Sequence, residues 1–225
     1  MRQHDVHDPR RTRAALAGAA VLVAMTVAAC SLTGTTGSGA VVTEDREAAS
    51  FSRIDAGYGI GVTVQVGPAS SIKVEAQRNL LPIIETRVDG DTLRIRGTAE
   101  FSSSATPRVV VTTPTLDGIS LNGGSEGQLD GLANDAFDVE LGGGAELTAT
   151  GSSDDVSIKG TGGSTAKLKE LAAKSVTVDL TGGTVAEISA SDAVKGGVSG
   201  GAHVVVAGDA AVDVSASGGG EVSHG

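Results

Sequence analysis

Residues 178–188, VDLTGGTVAEI, have the pattern of two short strands joined by a glycine turn. The same pattern recurs along the second half of the chain, where Gly-Gly pairs begin at Gly123, Gly142, Gly162, Gly182, Gly200 and Gly218. The steps between successive pairs are 19, 20, 20, 18 and 18 residues. A repeat of this length that holds two or three short strands is typical of one coil of a β-solenoid.

Apolar residues alternate with polar ones within each repeat, as in Val156-Ser157-Ile158 and Val176-Thr177-Val178. Further apolar positions follow the glycine pairs at Leu129, Leu147, Leu168 and Ile188. Alternation with a period of two indicates a strand with one buried face. Coils stacked about 4.8 Å apart would join these faces into one aliphatic interior, and glycine would supply the positive φ of each tight corner. The sequence therefore predicts an all-β, parallel β-solenoid with 18–20 residues per coil.

The same alignment makes two predictions about the coils. It directs Val178 inward and Thr177 outward, and it places Glu140, Lys159 and Asp179 in one outward column as a ladder of charges. Residues 165–174, TAKLKELAAK, have high helix propensity. Because the repeats on both sides stay in phase, we expect strand and loop there, with at most one helical turn.

The composition suits a narrow aliphatic interior, because the 225 residues include 33 Gly but only three Phe, one Tyr and no Trp. The formal net charge is −10, and residues 30–225 alone hold 13 basic and 25 acidic side chains. Such a chain lacks the basic patch that nucleic-acid binding needs and gains nothing from anionic lipid headgroups. We expect no nucleic-acid partner, and self-repulsion favours a monomer over a homo-oligomer.

The first residues have the pattern of an export signal. A basic segment is followed by an apolar run over residues 14–29, which is shorter than a membrane-spanning helix. Val27-Ala28-Ala29-Cys30 resembles the lipobox of bacterial lipoproteins, and Cys30 is the only cysteine in the chain. We therefore predict a signal peptide over residues 1–29, lipid attachment at Cys30 and a flexible Ser/Thr/Gly tether over residues 30–48. Two acyl chains would hold the protein on a membrane, facing outside the cytoplasm.

The first half of the domain, residues 51–121, is rich in alternating segments but has no repeat. Asp89-Gly90 lies between two such segments and predicts a hairpin turn. We expect this half to stack on the same solenoid as the coils.

Several short motifs in this half carry a family resemblance. They are Phe-x-x-Ile at Phe51, Asn-Leu-Leu at Asn79, Asp-Gly-x-x-Leu-x-Ile at Asp89 and Thr-x-Pro-x-Leu at Thr112. Together with the glycine coils, they make residues 49–225 resemble the head GIN domain family, whose members are named as auto-transporter adhesins. The resemblance implies a right-handed parallel β-helix, often behind a lipoprotein or export signal, and no catalytic residues.

The residues that would carry metal or cofactor chemistry are not arranged for it. The four histidines, at positions 4, 7, 203 and 224, form no pair with ligand spacing. The calcium-binding repeat of β-rolls needs Asp at the sixth position of Gly-Gly-x-Gly-x-Asp, where this chain has Leu147 and Ser223. We therefore expect no metal and no cofactor.

Parallel β-helices include polysaccharide lyases and hydrolases, which makes a catalytic function the alternative to a binding one. Residues 197–201 fit Gly-x-Ser-x-Gly but lack the strand-to-helix context of a nucleophile. Asp154-Asp155 is the one adjacent acidic pair in the coils, and no aromatic residue for sugar stacking accompanies it. An ice-binding solenoid would need regular threonine rows, which Thr161, Thr165, Thr181 and Thr184 do not form.

The sequence thus favours a non-catalytic, lipid-anchored envelope protein that presents a solenoid surface for adhesion, binding or scaffolding. Its partners would be the membrane and an envelope or extracellular ligand. A carbohydrate-active β-helix enzyme of the envelope is the alternative.

Overall fold

A computed structural model describes residues 34–225 of the chain. This range contains seventeen strands, one 3-10 helix (Leu81–Ile83) and no α-helix. The strands are β1 (Thr35–Thr36), β2 (Val41–Arg46), β3 (Arg53–Ala56), β4 (Gly61–Val66), β5 (Ser71–Gln77), β6 (Ile84–Asp89), β7 (Thr92–Gly97), β8 (Phe101–Ser102), β9 (Arg108–Thr113), β10 (Gly118–Leu121), β11 (Glu126–Leu141), β12 (Glu146–Gly160), β13 (Thr165–Leu180), β14 (Val185–Val198), β15 (His203–Ala207), β16 (Ala211–Ala216) and β17 (Glu221–His224).

The strands form two long faces that share β11–β14. The first face has the order β6-β7-β3-β10-β11-β12-β13-β14-β16 and uses the C-terminal parts of the four long strands. The second face has the order β2-β5-β9-β4-β11-β12-β13-β14-β15-β17 and uses their N-terminal parts. The middle parts of the long strands join the two faces and contain register shifts. Pairing is parallel throughout the coils, which confirms the predicted solenoid.

Equivalent residues of successive coils stack in register. Val139, Ile158 and Val178 are partners along the first face, and each is 1% exposed. Thr177 is exposed, as predicted. The four apolar residues that follow the glycine pairs are also buried. The inward and outward assignment made from the alternation is therefore confirmed.

Each coil turns at a glycine with a positive φ. The φ angles at Gly123, Gly143, Gly162, Gly182, Gly200 and Gly218 lie between 53° and 68°. The backbones of successive turns lie so close that a Cβ added at Gly182 would come within 3.1 Å of the Gly162 nitrogen. In the second coil the turning pair is Gly143-Gly144, since Gly142 comes one residue before the positive φ. Glycine recurs at these turns because each turn requires a positive φ and because the backbones of successive turns approach closely.

The N-terminal half stacks on the coils as expected. Ile54 in β3 pairs with Ile119 in β10, which pairs in turn with Val139 in β11. The hairpin at Asp89-Gly90 is confirmed, because β6 and β7 are antiparallel and Gly90 has a φ of 65°. The segment with high helix propensity belongs wholly to β13, where hydrogen bonding to both neighbouring coils outweighs local preference.

Within residues 34–48, the structure contains two strands where the sequence analysis predicted part of a flexible tether over residues 30–48. Strand β1 pairs with β8, and β2 pairs with β5 in antiparallel register at the end of the second face. The reason is that β5 and β8 offer open hydrogen-bonding edges that this segment satisfies. The signal peptide of residues 1–29 and the lipid site at Cys30 lie outside the described residues and stay predictions. No helix found within residues 34–225 has the length and apolar character needed to cross a bilayer.

Candidate binding surface

Lysines on the outer surface of the coils are held in ladders with acidic residues. In the predicted column, Lys159 lies in register between Glu140 and Asp179, and its Nζ is 3.5 Å from Glu140 Oε1. Both side chains of this pair are more than half exposed, so we expect the pair to stabilise the fold by less than about 1 kcal/mol. The ladder is thus a surface feature of the stacked coils.

Two further lysines each lie beside a carboxylate of the preceding coil. Lys167 Nζ lies 2.5 Å from Glu146 Oε1, and Lys174 Nζ lies 2.7 Å from Asp154 Oδ1. The hydrogen bond from each lysine to its carboxylate, followed by the carboxylate charge, raises the pKa of that lysine above its usual value. Asp154 belongs to the adjacent acidic pair noted in the sequence, and here it is the partner of a lysine in the next coil.

A groove crosses the first face at β10, where the outward side chains are small. Gly118 and Ser120 form its floor between the charged residues of β3 and β11, and its volume is about 250 Å³. Arg53 spans Gly118 to donate a hydrogen bond of 2.6 Å to Asp138. A Cβ at Gly118 would lie 3.0 Å from the Arg53 Nη2 atom, so glycine leaves room for this bridge. The hydrogen bond to Asp138 is the main cause that raises the pKa of Arg53.

An adjoining groove of about 290 Å³ continues over β11 and β12. It shares Ser120 and Glu140 with the first groove and adds Asn122, Lys159 and Thr161. Together the two grooves offer hydroxyl, amide and charged groups to a ligand, along about five strands of the first face. This surface can form many hydrogen bonds with a polar molecule.

The carboxylates of the groove are engaged in ion pairs. Asp55 accepts a hydrogen bond of 2.5 Å from Arg96, while Asp138 is bound by Arg53 and Glu140 contacts Lys159. These three carboxylates therefore present hydrogen-bond acceptors at fixed positions along the groove.

A Ser-His-Glu arrangement lies near the C-terminus on the second face. Ser223 Oγ is 3.2 Å from His203 Nε2, and His203 Nδ1 is 3.6 Å from Glu221 Oε2. Glu221 is 72% exposed at the side chain, and its backbone N–H is used in a hydrogen bond to Ala202. A catalytic triad needs a buried acid and free donors for an oxyanion. These three residues therefore form a surface contact, which sequence reasoning missed because only the coil register brings them together.

Tyr58 was also missed by sequence reasoning. It occupies the position in the first turn that Gly123 occupies in the next, with a φ of 66°, and it is 53% exposed. Its ring lies over Gly97, where an added Cβ would come within 3.4 Å of Tyr58 Cδ1 and 3.2 Å of Phe101 Cε1. The alignment of Gly57-Tyr58-Gly59 with the later glycine turns is the sequence feature that indicates a turn at Tyr58.

The described residues also bear on two other kinds of site. Among residues 34–225, no three His, Cys, Asp or Glu side chains come together in a way that could hold a metal ion. Of the threonines considered for an ice-binding face, Thr184 is fully buried and donates a hydrogen bond to the Thr181 carbonyl oxygen.

Solved structures with a similar fold come from several bacteria. A putative adhesin from Bacteroides fragilis is 18% identical and covers 85% of this chain and 100% of its own, with a TM-score of 0.66. A putative adhesin from Parabacteroides merdae is 18% identical over 85% of this chain and 99% of its own, with a TM-score of 0.52. A putative lipid binding protein from Parabacteroides distasonis is 13% identical over 84% and 98%, with a TM-score of 0.53. At these identities the likeness shows a shared fold.

The curated proteins include no match to this chain. The family model described as "Putative auto-transporter adhesin, head GIN domain" matches residues 50–210, which include the first-face groove, Tyr58 and the four long coils. The chain belongs to this head GIN domain family.

Proposed function

We propose that this protein is a lipid-anchored protein of the cell envelope that faces outward and binds a polar ligand through the groove on its first face. The observation that carries the proposal is the row of small outward residues on β10, which opens a hydrogen-bonding groove in an otherwise charged surface. Membership of the adhesin family and the adhesin names of similar structures support an adhesive role at the cell surface. Catalysis is not needed for this role.

The chemistry of the groove favours a ligand rich in hydroxyl groups, such as a surface glycan. Ser120, Asn122 and Thr161 offer donors and acceptors, and the ion-paired carboxylates offer acceptors at fixed positions. The protein would act as a monomer, because the net charge of −12 over residues 30–225 opposes self-association.

Binding to a panel of immobilised bacterial and host glycans tests this function. Ser120→Arg should fill the groove without unfolding the protein, because Ser120 is partly exposed and lies in register between Asp55 and Glu140. We expect a loss of at least about tenfold in affinity, which corresponds to about 1.4 kcal/mol. The matched control, Thr177→Arg, adds the same side chain to the same face outside the groove and should bind normally.

Equal binding by both variants would place the ligand elsewhere and contradict the groove. The alternative, a carbohydrate-active enzyme, predicts something different. If the protein is such an enzyme, incubation of the wild-type protein with the glycans that it binds should release new reducing ends or unsaturated sugars. A protein that only binds these glycans should release neither.

A further inference from the structure

The chain enters the folded domain at a fixed point close to the predicted lipid site. Only four residues separate Cys30 from Thr35, the first residue of β1, so the two are five positions apart. An extended chain spans at most about 3.6 Å per residue, so Thr35 would lie within about 18 Å of a lipidated Cys30. Strands β1 and β2 thus occupy much of the segment that the sequence analysis predicted to be tether.

Hydrogen bonds hold this entry segment against the domain. They are Thr35 N to Glu100 O (2.9 Å), Gly37 N to Ser102 O (2.7 Å), Ser38 N to Asn79 Oδ1 (2.7 Å) and Asn79 Nδ2 to the Thr36 carbonyl oxygen (2.8 Å). Gly37 is tightly packed, since a Cβ there would overlap Gln77 Oε1 and come within 3.0 Å of Leu80 Cδ1. The segment is therefore part of the fold and cannot move away from it freely.

Two aromatic residues, Phe101 and Tyr58, lie beside this entry point. Phe101, the partner of Thr35 in β8, is partly buried and lies with Tyr58 over Gly97. Among residues 34–225, the large hydrophobic residues that stand out as exposed are Tyr58 (53%) and Val41 (54%), and both belong to this half of the molecule. Tyrosine is enriched at membrane–water interfaces, where its ring is buried and its hydroxyl stays hydrated.

Charge is distributed unevenly between the two halves. Residues 34–109 hold 8 basic and 9 acidic side chains, whereas residues 110–225 hold 5 basic and 16 acidic ones. An anionic bilayer would therefore repel the coils but not the half that contains Tyr58. The charges near this corner are mixed, because Arg78 and Glu100 lie beside the entry segment and Arg96 lies beside Gly57, next to Tyr58.

We propose that the corner formed by Tyr58, Phe101 and the β1–β8 pair is a membrane-contact surface, which places the Tyr58 ring at the bilayer interface and directs the acidic coils away from it. This inference rests on the proposed lipid anchor at Cys30. It explains why an exposed tyrosine occupies a turn position that is glycine in the later coils. It also leaves the first-face groove over β10–β12 free for a ligand outside the membrane.

The fluorescence of the protein offers a direct test, because Tyr58 is the only tyrosine and there is no tryptophan. The acylated mature protein, which begins at Cys30, is placed in vesicles of about three parts phosphatidylcholine to one part phosphatidylglycerol. Part of the phosphatidylcholine carries bromine near the top of the acyl chain. We expect the brominated lipid to remove about half of the Tyr58 emission, because the ring lies at the interface.

A matched variant moves the fluorophore to the other end of the solenoid. Tyr58→Phe combined with Ser215→Tyr places the single tyrosine on β16, an exposed position six strands from β3 on the first face. Six strand spacings correspond to about 29 Å. This tyrosine should keep its emission in brominated vesicles if the coils point away from the bilayer.

The anchor is measured separately by the mass of the acylated chain and by flotation with the vesicles. Protein that is acylated and floats, but whose Tyr58 emission is unaffected by bromine, contradicts the membrane contact and leaves the lipid anchor intact. Equal quenching at positions 58 and 215 contradicts the orientation, because the solenoid would then lie flat on the bilayer. Failure to acylate and float removes the anchor and the inference together.

Discussion

At position 58 a tyrosine has the left-handed backbone conformation that glycine has in the later turns. For a residue with a side chain this conformation costs roughly 1–2 kcal/mol. In the strands of the coils, side chains alternate with a period of two between the interior and the surface. Single substitutions at neighbouring positions should therefore differ sharply in their effect.

Val178 and Thr177 test this at the residue scale. Val178→Asp puts a charge at a position that is 1% exposed, between Ile158 and the next coil, and should lower the free energy of unfolding by several kcal/mol. Thr177→Asp changes an exposed residue in register with Lys195 and should cost less than about 1 kcal/mol. Urea denaturation of the two variants gives the comparison. Similar losses for both would refute the inward and outward assignment.

At the scale of the element, the same glycine turn and the same strand pairing recur in each coil. The first positive-φ glycine of each turn from Gly143 onward also lies close to the backbone of the preceding turn, and each long strand pairs with a neighbour on both sides. Long strands of 14 to 16 residues make the middle of the solenoid uniform. Two adjacent glycines of one turn can differ in the sign of φ. The stability of an alanine variant at each of them therefore measures the effect of the positive φ.

Gly182 and Gly183 provide that pair. Gly182→Ala forces an alanine to a φ of 68° and places its Cβ 3.1 Å from the Gly162 nitrogen, so it should destabilise the protein by about 1–2 kcal/mol or more. Gly183→Ala has no such φ, and its Cβ would meet nothing closer than 3.8 Å. It should be neutral or slightly stabilising, because alanine reduces the entropy of the unfolded chain. Thermal unfolding of both variants decides the matter, and equal melting temperatures would argue against the stacked-turn explanation.

At the scale of the whole molecule, the two ends of the solenoid differ, and the regular coils of β11–β14 lie between them. The N-terminal end is closed by the β6–β7 hairpin, by the antiparallel pair β2–β5 and by the entry segment, and it carries little net charge. The coils carry most of the negative charge. This polarity matches a protein that is attached at one end and binds with its sides.

The proposed attachment through Cys30 makes a prediction of its own. Cys30→Ser should abolish acylation and leave unprocessed precursor, because the proposal makes this thiol the acceptor of the lipid, with cleavage after its modification. Radiolabelled fatty acid and gel mobility measure the two effects in cells. A Ser52→Cys variant in the same Cys30→Ser background is the control, since a cysteine away from the signal should restore neither. Normal acyl incorporation in Cys30→Ser would rule out this residue as the lipid site.

The sequence by itself determined the features that repeat. Alternation at Val176-Thr177-Val178 assigned the interior, the glycine spacing gave the coil length, and Asp89-Gly90 marked a hairpin. These are predictable because a period of two and a turn are set by residues close together in the chain.

Only the tertiary structure decided the features that occur once. Thr35 pairs with Phe101, Arg53 reaches Asp138 across Gly118, and Tyr58 packs over Gly97, although each pair is 39 to 85 residues apart in the chain. No local pattern specifies such pairs, because they depend on which strand edges and spaces are still open once the chain has folded. The repeat therefore revealed the solenoid, whereas the entry segment, the groove and the aromatic corner depend on contacts between distant parts of the chain.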